Sequence, residues 1–307
     1  MKFSSSSDAL IRAMPGVFVV IWSTGFIVAK FGLPYAPPLT FLAMRYFFSI
    51  VCFLIWIRFA RARWPRGRQQ WLHLAATGLL MHGGYLGGVW VAVKAGMGSG
   101  LAALIVGLQP VLTALWVSWA GPSGHSQGQP KTQVTLRQWM GLALGLGGLL
   151  LVVARKFGTG SEVTVLTLGC TVFALFSITA GTLYQKRFVQ PTDVRSANAI
   201  QLAAALLVTL PLALMETEAI VWNPEFIGAM AWSVLALTLG GSSLLYLLIQ
   251  RGAATAVTSL FYLVPPTTAL MAWLLFGEAI TIATVVGTAL TALGVSLVVS
   301  PAKPRVA

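Results

Sequence analysis

The sequence predicts an all-α membrane protein: ten transmembrane helices in two inverted five-helix repeats, with both termini in the cytoplasm. Three observations predict it. Hydrophobic residues are 57% of the 307 and charged residues only 9%, with a mean hydropathy of +0.83; soluble domains average about 25% charged. Apolar runs near the ~20 residues needed to cross a hydrocarbon core recur along the whole chain. The two halves also match each other at a nearly constant offset.

The first run, 11–33, follows "MKFSSSSDALIRAMPG". That opening resembles the front of a signal peptide, but no small-residue cleavage site ends the run, so it reads as an uncleaved first span. The second, 39–58, opens after Pro37 and Pro38 and carries Arg45 inside it. The third, 70–93, contains "MHGGYLGGVW", with four glycines in ten residues. The fourth, 97–119, is interrupted at Gln109–Pro110, and the polar stretch 120–137 that follows is the longest connection. The fifth, 138–154, and the tenth, 279–300, are spaced with glycine. Between them lie 163–185, 196–215, 225–250 and 253–276, the eighth carrying a second double glycine and the ninth holding Tyr262 before Pro265–Pro266. The connections leave no room for a second soluble domain.

The net charge of +13 invites a nucleic-acid reading. Its placement rejects that reading, because the charges sit in short loops between apolar runs. With the N-terminus in the cytoplasm, fifteen Lys and Arg fall on that side and four on the other (Lys30, Lys94, Arg155, Lys156), leaving out Arg45 within its span. This is the positive-inside pattern, and it makes the partner a lipid bilayer. Cys52 and Cys170 form no metal or redox motif, and no prosthetic group is implied.

At an offset of 156, Gly25 falls on Gly181, Lys30 on Lys186, Gly84 on Gly240, Trp90 on Tyr246, Gly96 on Gly252 and Pro110 on Pro266. The offset then drops to 146, with Gly141 on Gly287 and Gly148 on Gly294. The longer 120–137 loop accounts for the difference. The repeats are therefore 1–157 and 158–307. Five spans per repeat is an odd number, so the second repeat enters the membrane from the opposite side, the symmetry of many secondary transporters. Five spans per half also close a pathway within one chain, so a monomer suffices.

The stretch "VIWSTGFIVAKFGLPYAPPLTFLAMRYFF" resembles the opening of EamA-type carriers in the drug/metabolite transporter superfamily: Trp22, small residues, Lys30, a Pro-containing turn at Pro37–Pro38, then Arg45. "YLVPPTTALMAWLLFGEAITIATVVGTALTALGVSLVV" resembles the family's late signature, including Gly277–Glu278. The first repeat lacks that Gly-Glu pair, and Ser23–Thr24 stand where many members have Gly-Ser. The overall character is most similar to the YddG-type exporters of aromatic amino acids and other metabolites. The resemblance implies ten helices in two repeats and a small-molecule substrate carried across a bacterial inner membrane.

Polar and aromatic residues cluster at the predicted midplane: Trp22, Ser23, Thr24, His82, Tyr85, Gln109, Ser177, Ser242, Ser243 and Tyr262. They read as substrate-binding candidates, since interrupted helices at midplane build the sites of inverted-repeat carriers. For the hydroxyls the alternative is helix-to-helix hydrogen bonding. Gly83, Gly84, Gly87 and Gly88 form two overlapping small-xxx-small frames, which serve close packing or bending. Gly240 and Gly241 answer them in the second half, and with Pro110, Pro265 and Pro266 they are the hinge candidates for helices 3/4 and 8/9. Lys30, Arg45, Lys94 and Glu278 fall toward the periplasmic end, with Glu278 expected to pair with one of the cations.

No Asp or Glu lies deep in a span. Coupled carriers commonly use a buried carboxylate, so the charges favour downhill movement of a neutral or zwitterionic solute, His82 being the remaining titratable midplane group. A drug or nucleotide-sugar carrier on the same architecture is the alternative substrate reading. An intramembrane enzyme lacks support: there is no H-E-x-x-H motif, no G-x-S-x-G elbow and no intramembrane aspartate pair.

Overall fold

The computed structural model describes residues 5–120, 136–156, 162–250 and 263–299. These residues are helical almost throughout. In chain order the helices are α1 (Ser5–Gly32), α2 (Pro38–Ala60), α3 (Arg68–Gly78), a π-helical stretch (Leu79–Gly84), α4 (Tyr85–Lys94), α5 (Ser99–Val106), α6 (Gln109–Ala120) and α7 (Leu136–Lys156). The second half continues with α8 (Val165–Phe188), α9 (Val194–Ala213), α10 (Pro224–Trp232), a second π-helical stretch (Ser233–Ser242), α11 (Ser243–Gln250), α12 (Val264–Phe276) and α13 (Ile282–Val299).

Hydrocarbon leaves no backbone group to water, so helices are the natural solution for such a chain. Five helical segments among the described residues are long and apolar enough to cross a membrane: Pro38–Ala60, Ser99–Trp116, Val165–Phe188, Val194–Ala213 and Pro224–Leu247. Four shorter apolar helices accompany them, at Gly16–Gly32, Trp139–Ala154, Val264–Phe276 and Ile282–Leu297. The distribution of side chains is inside out relative to a soluble protein. On α2 the large apolar Phe47, Phe48, Leu54, Ile55 and Trp56 are exposed, while Arg45 and Ser49 are buried beside Tyr46 and Phe53. Lipid accepts the first set and excludes the second.

Local chemistry sets the ends. Pro38 stands in the first turn of α2, where its missing N–H costs nothing. Thr164 and Thr167 form a reciprocal capping box on α8, and the Asn223 side chain accepts from the Phe226 N–H to cap α10.

The helices pack in pairs that survive exchange of the two halves. The largest contacts join α7 to α13, α2 to α9, α4 to α8, α3 to α9 and α5 to α12, while α1 packs on the second π stretch and α10, and α2 on the second π stretch. Exchanging the halves returns the same set of pairings. The α7–α13 contact also shows the sense of the relation. A Cβ on Gly294 would strike the Gly141 carbonyl, and one on Gly148 or Gly287 would strike the other's carbonyl. The two helices thus touch at 141 with 294 and at 148 with 287, an antiparallel register in which each helix faces its own repeat mate. The contact is self-complementary, as two-fold symmetry requires.

The two π stretches occupy equivalent places. Residues 79–84, moved by the repeat offset of 156, become 235–240, which lie inside Ser233–Ser242. Each carries a double glycine, Gly83–Gly84 in the first and Gly240–Gly241 in the second. The third and eighth runs are therefore not uniform α-helices: each has a wider π-helical turn that runs into its double glycine.

Candidate functional site

Where the halves meet, α1, α2, the first π stretch with α4, α8, α9, and the second π stretch with α11 surround one cavity. The space is narrow: about 40 Å³ is open to the centres of water-sized spheres, room for a few waters. Its wall includes Trp22, Arg45, Met81, His82, Tyr85, Trp90, Gln185, Asn198, Gln201, Ser242 and Tyr246.

Four of the ten midplane candidates line this wall: Trp22, His82, Tyr85 and Ser242. Trp22 and Tyr85 stack, with ring centroids 6.5 Å apart and planes 3° from parallel. The backbone carbonyl of His82 accepts from the Tyr46 hydroxyl at 2.7 Å, and the two rings meet edge on with centroids 6.1 Å apart. These contacts hold the imidazole at the cavity edge.

Five other candidates are placed elsewhere. The Ser23 hydroxyl donates to the Val19 carbonyl at 2.7 Å and the Thr24 hydroxyl to the Ile21 carbonyl at 2.6 Å, both within their own helix. Gln109 Nε2 donates to Thr182 Oγ1 at 3.0 Å, joining α6 to α8. Ser177 is buried against Gly84, and Ser243 is buried off the cavity wall. Tyr262 lies outside the described residues.

The glycines of the first π stretch and α4 divide by face. A Cβ on Gly84 would come within 2.6 Å of Ser177 Oγ, and one on Gly88 within 2.6 Å of the Cys170 carbonyl oxygen. Gly83 and Gly87 have nothing within 4 Å of that position. One small-xxx-small frame, 84 and 88, packs against α8, and the other opens to free space. Of the remaining hinge candidates, Gly240 and Gly241 lie in the second π stretch, Pro110 is the second residue of α6 after the break at Gly107–Leu108, and Pro265 and Pro266 stand in the first turn of α12.

The charges at one end form a latch between the halves. Lys30 Nζ lies 2.6 Å from Glu278 Oε1, which also accepts from the Ser99 N–H at 3.1 Å. Lys94 Nζ pairs with Glu218 Oε2 at 2.6 Å and donates to the Leu33 carbonyl at 3.0 Å. Glu216, which the sequence reading did not single out, accepts from the Leu39 and Thr40 N–H groups at 3.0 and 2.7 Å and so caps α2.

Arg45 differs from these charges in its setting. It lies seven residues into α2, about 10 Å along the axis at 1.5 Å per residue, and is buried at 4% exposure on the cavity wall. Its Nε donates to Thr238 Oγ1 at 2.9 Å, and its guanidinium lies over the Trp90 ring at 5.6 Å.

Sequence reasoning also missed Trp90, Gln185, Asn198, Gln201 and Tyr246 as wall residues. A signal existed for three of them. Trp90 and Tyr246 are repeat mates, so two aromatic residues at equivalent depth in both halves point to a shared cavity. Asn198 and Arg45 are each polar groups inside an apolar run, which hydrocarbon admits only toward an interior.

Residues 16–154 and 166–300 each match the EamA-like transporter family. A probable amino-acid metabolite efflux pump of Salmonella typhimurium is 27% identical over 193 residues, which are 63% of this chain and 59% of that relative's length. An uncharacterized transporter of Archaeoglobus fulgidus is 23% identical over 91% of this chain and 93% of its own. The uncharacterized inner membrane transporter YedA of Escherichia coli K12 is 26% identical over 85% of this chain and 81% of its own. A solved crystal structure covers 96% of both chains with a TM-score of 0.64 at 19% identity, a likeness of fold.

Proposed function

The chain belongs to the EamA-like transporter family, and from that premise we propose a ten-span secondary carrier of a bacterial inner membrane. It exports small metabolites, foremost neutral and aromatic amino acids, by alternating access. Both termini face the cytoplasm, the repeats divide at 157/158, and α3–α4, α5–α6 and α10–α11 each count as one crossing. One observation carries the mechanism: the cavity at Arg45 and His82 is walled by both halves, and in each half a π-helical stretch with a double glycine borders it.

Alternating access needs a site that stays near the midplane while the ends open in turn. Bending at Gly83–Gly84 and Gly240–Gly241, with the breaks at Pro110 and Pro265–Pro266 allowing the neighbouring spans to follow, swings helices 3/4 against 8/9. π segments suit this work because their hydrogen bonds can shift register without unravelling the helix. Trp22, Tyr85 and Trp90 make part of the wall aromatic, which suits an aromatic side chain. The substrate class is supported by relatives named as amino-acid metabolite efflux pumps.

The test is counterflow in vesicles. Purified protein is reconstituted with unlabelled tryptophan or phenylalanine inside and labelled amino acid outside, without a proton gradient. Labelled amino acid accumulates, and substitution of His82 or Gly83 ends the accumulation. No movement of either amino acid, with or without an imposed proton gradient, refutes the amino-acid reading.

A further inference from the structure

The cavity wall is one-sided in what it offers a ligand. Arg45 is 4% exposed, with Nε committed to Thr238, while its Nη1 has no hydrogen-bond partner among the described residues. The indole Nε1 of Trp90, a residue 1% exposed whose ring centroid lies 5.6 Å from the guanidinium carbon, likewise has none among them. Guanidinium and indole N–H groups are donors only, so no flip or tautomer turns them into acceptors. No Asp or Glu lines the cavity among the described residues.

A buried cation without a counter-charge, beside a buried donor without an acceptor, is an unfavourable arrangement in an empty site. A ligand that brings one negative charge and acceptor oxygens relieves both. A carboxylate does so: it is planar, monoanionic and matched to a guanidinium. A phosphate dianion would call for a second cation, and Arg45 is the single Lys or Arg on the wall among the described residues.

We infer that Arg45, assisted by Trp90 Nε1, is the carboxylate-binding residue of the cavity, so that the solute carries a carboxylate on an apolar body and its uncharged amide is rejected. This rests on the carrier reading for its meaning as transport. Thr238 is a positioning residue: it holds Arg45 from the second π stretch, so the group that grips the ligand is tied to a segment that bends.

The experiment uses the full chain with L-phenylalanine, 3-phenylpropionate, L-phenylalaninamide and 2-phenylethylamine. Binding is measured by calorimetry in detergent and flux by counterflow in vesicles. The two carboxylates bind about 30-fold more tightly than the amide and the amine, the scale of one hydrogen bond to a charged group. Arg45→Gln brings that ratio near one, and Arg45→Lys keeps a reduced preference. In the ligand-free state Arg45→Gln leaves the thermal midpoint unchanged or higher, whereas an arginine with a merely structural role would lower it on removal. If the Gln variant does not fold, Arg45→Lys and Trp90→Phe carry the test, and an unchanged ratio in both overturns the inference. Equal binding of amide and acid by the unaltered protein overturns it too, as does a preference that persists in Arg45→Gln; flux of either compound would then leave the carrier reading standing. Preference in binding without flux supports the inference and sinks the carrier reading. No binding and no flux by any of the four compounds sinks both.

Discussion

Adjacent glycines in α4 should respond to alanine in opposite ways. A Cβ at Gly88 would lie 2.6 Å from the Cys170 carbonyl oxygen and 3.1 Å from the Ala174 Cβ, where ordinary contact begins at 3.4 Å. The carbonyl is backbone and cannot rotate aside, so α4 and α8 must separate locally by about 0.8 Å, the difference between 3.4 and 2.6 Å. Overpacking of this kind costs about 1–3 kcal/mol. At Gly84 the obstacle is the Ser177 hydroxyl at 2.6 Å, a side chain that can turn, so the cost sits at the low end. At Gly87 a Cβ meets nothing within 4 Å, and alanine gains up to ~1 kcal/mol of helix propensity on the aqueous scale. Gly87→Ala and Gly88→Ala therefore differ by about 2–4 kcal/mol although they are neighbours. The assay is thermal unfolding of purified full-length variants in one detergent at one scan rate, since midpoints of irreversible unfolding depend on rate. The expected order is Gly87→Ala at or above the unaltered protein, then Gly84→Ala, then Gly88→Ala. Equal midpoints for Gly87→Ala and Gly88→Ala, or the reverse order, would refute the division of the glycines by face.

Two further outcomes are expected. Glu278→Gln removes the partner of Lys30 and weakens the cap on α5; the cap is worth about 1 kcal/mol, and the ion pair adds only a few tenths because Lys30 is 34% exposed. A double-mutant cycle with Lys30→Met reads the pair alone, and a Glu278→Gln variant as stable as the parent would remove the latch from the account. Reporter fusions at the two termini should both read cytoplasmic, in keeping with fifteen basic residues against four; a terminus on the other side would overturn the ten-span topology.

Much of the helical layout was legible because it follows from one constraint. In hydrocarbon every backbone N–H and C=O must be satisfied within its own segment, so length and hydropathy largely set where helices run; α2, predicted at 39–58, spans Pro38–Ala60. The repeat offset was legible for a similar reason, since close contacts such as Gly148 with Gly287 admit no larger residue. The site was only partly legible. Ser23 and His82 look alike as polar residues in apolar runs, yet the Ser23 hydroxyl turns back to the Val19 carbonyl while His82 reaches the cavity. A short hydroxyl can satisfy itself on the preceding turn, and a sequence carries no mark of whether it does.

Arg45 marks the same limit from the other direction. Counting along the chain placed it within a span toward the periplasmic end, but only the packing of α2 on α4 and on the second π stretch puts its guanidinium over Trp90 and against Thr238 of the other half. The amino-acid order alone determined that this chain folds as helices in two related halves, because hydropathy and glycine spacing act within a segment or between repeat mates. Which polar groups share a cavity, and that a buried cation faces it without a carboxylate, was decided by tertiary structure, because that depends on how helices far apart in sequence rotate their faces against one another.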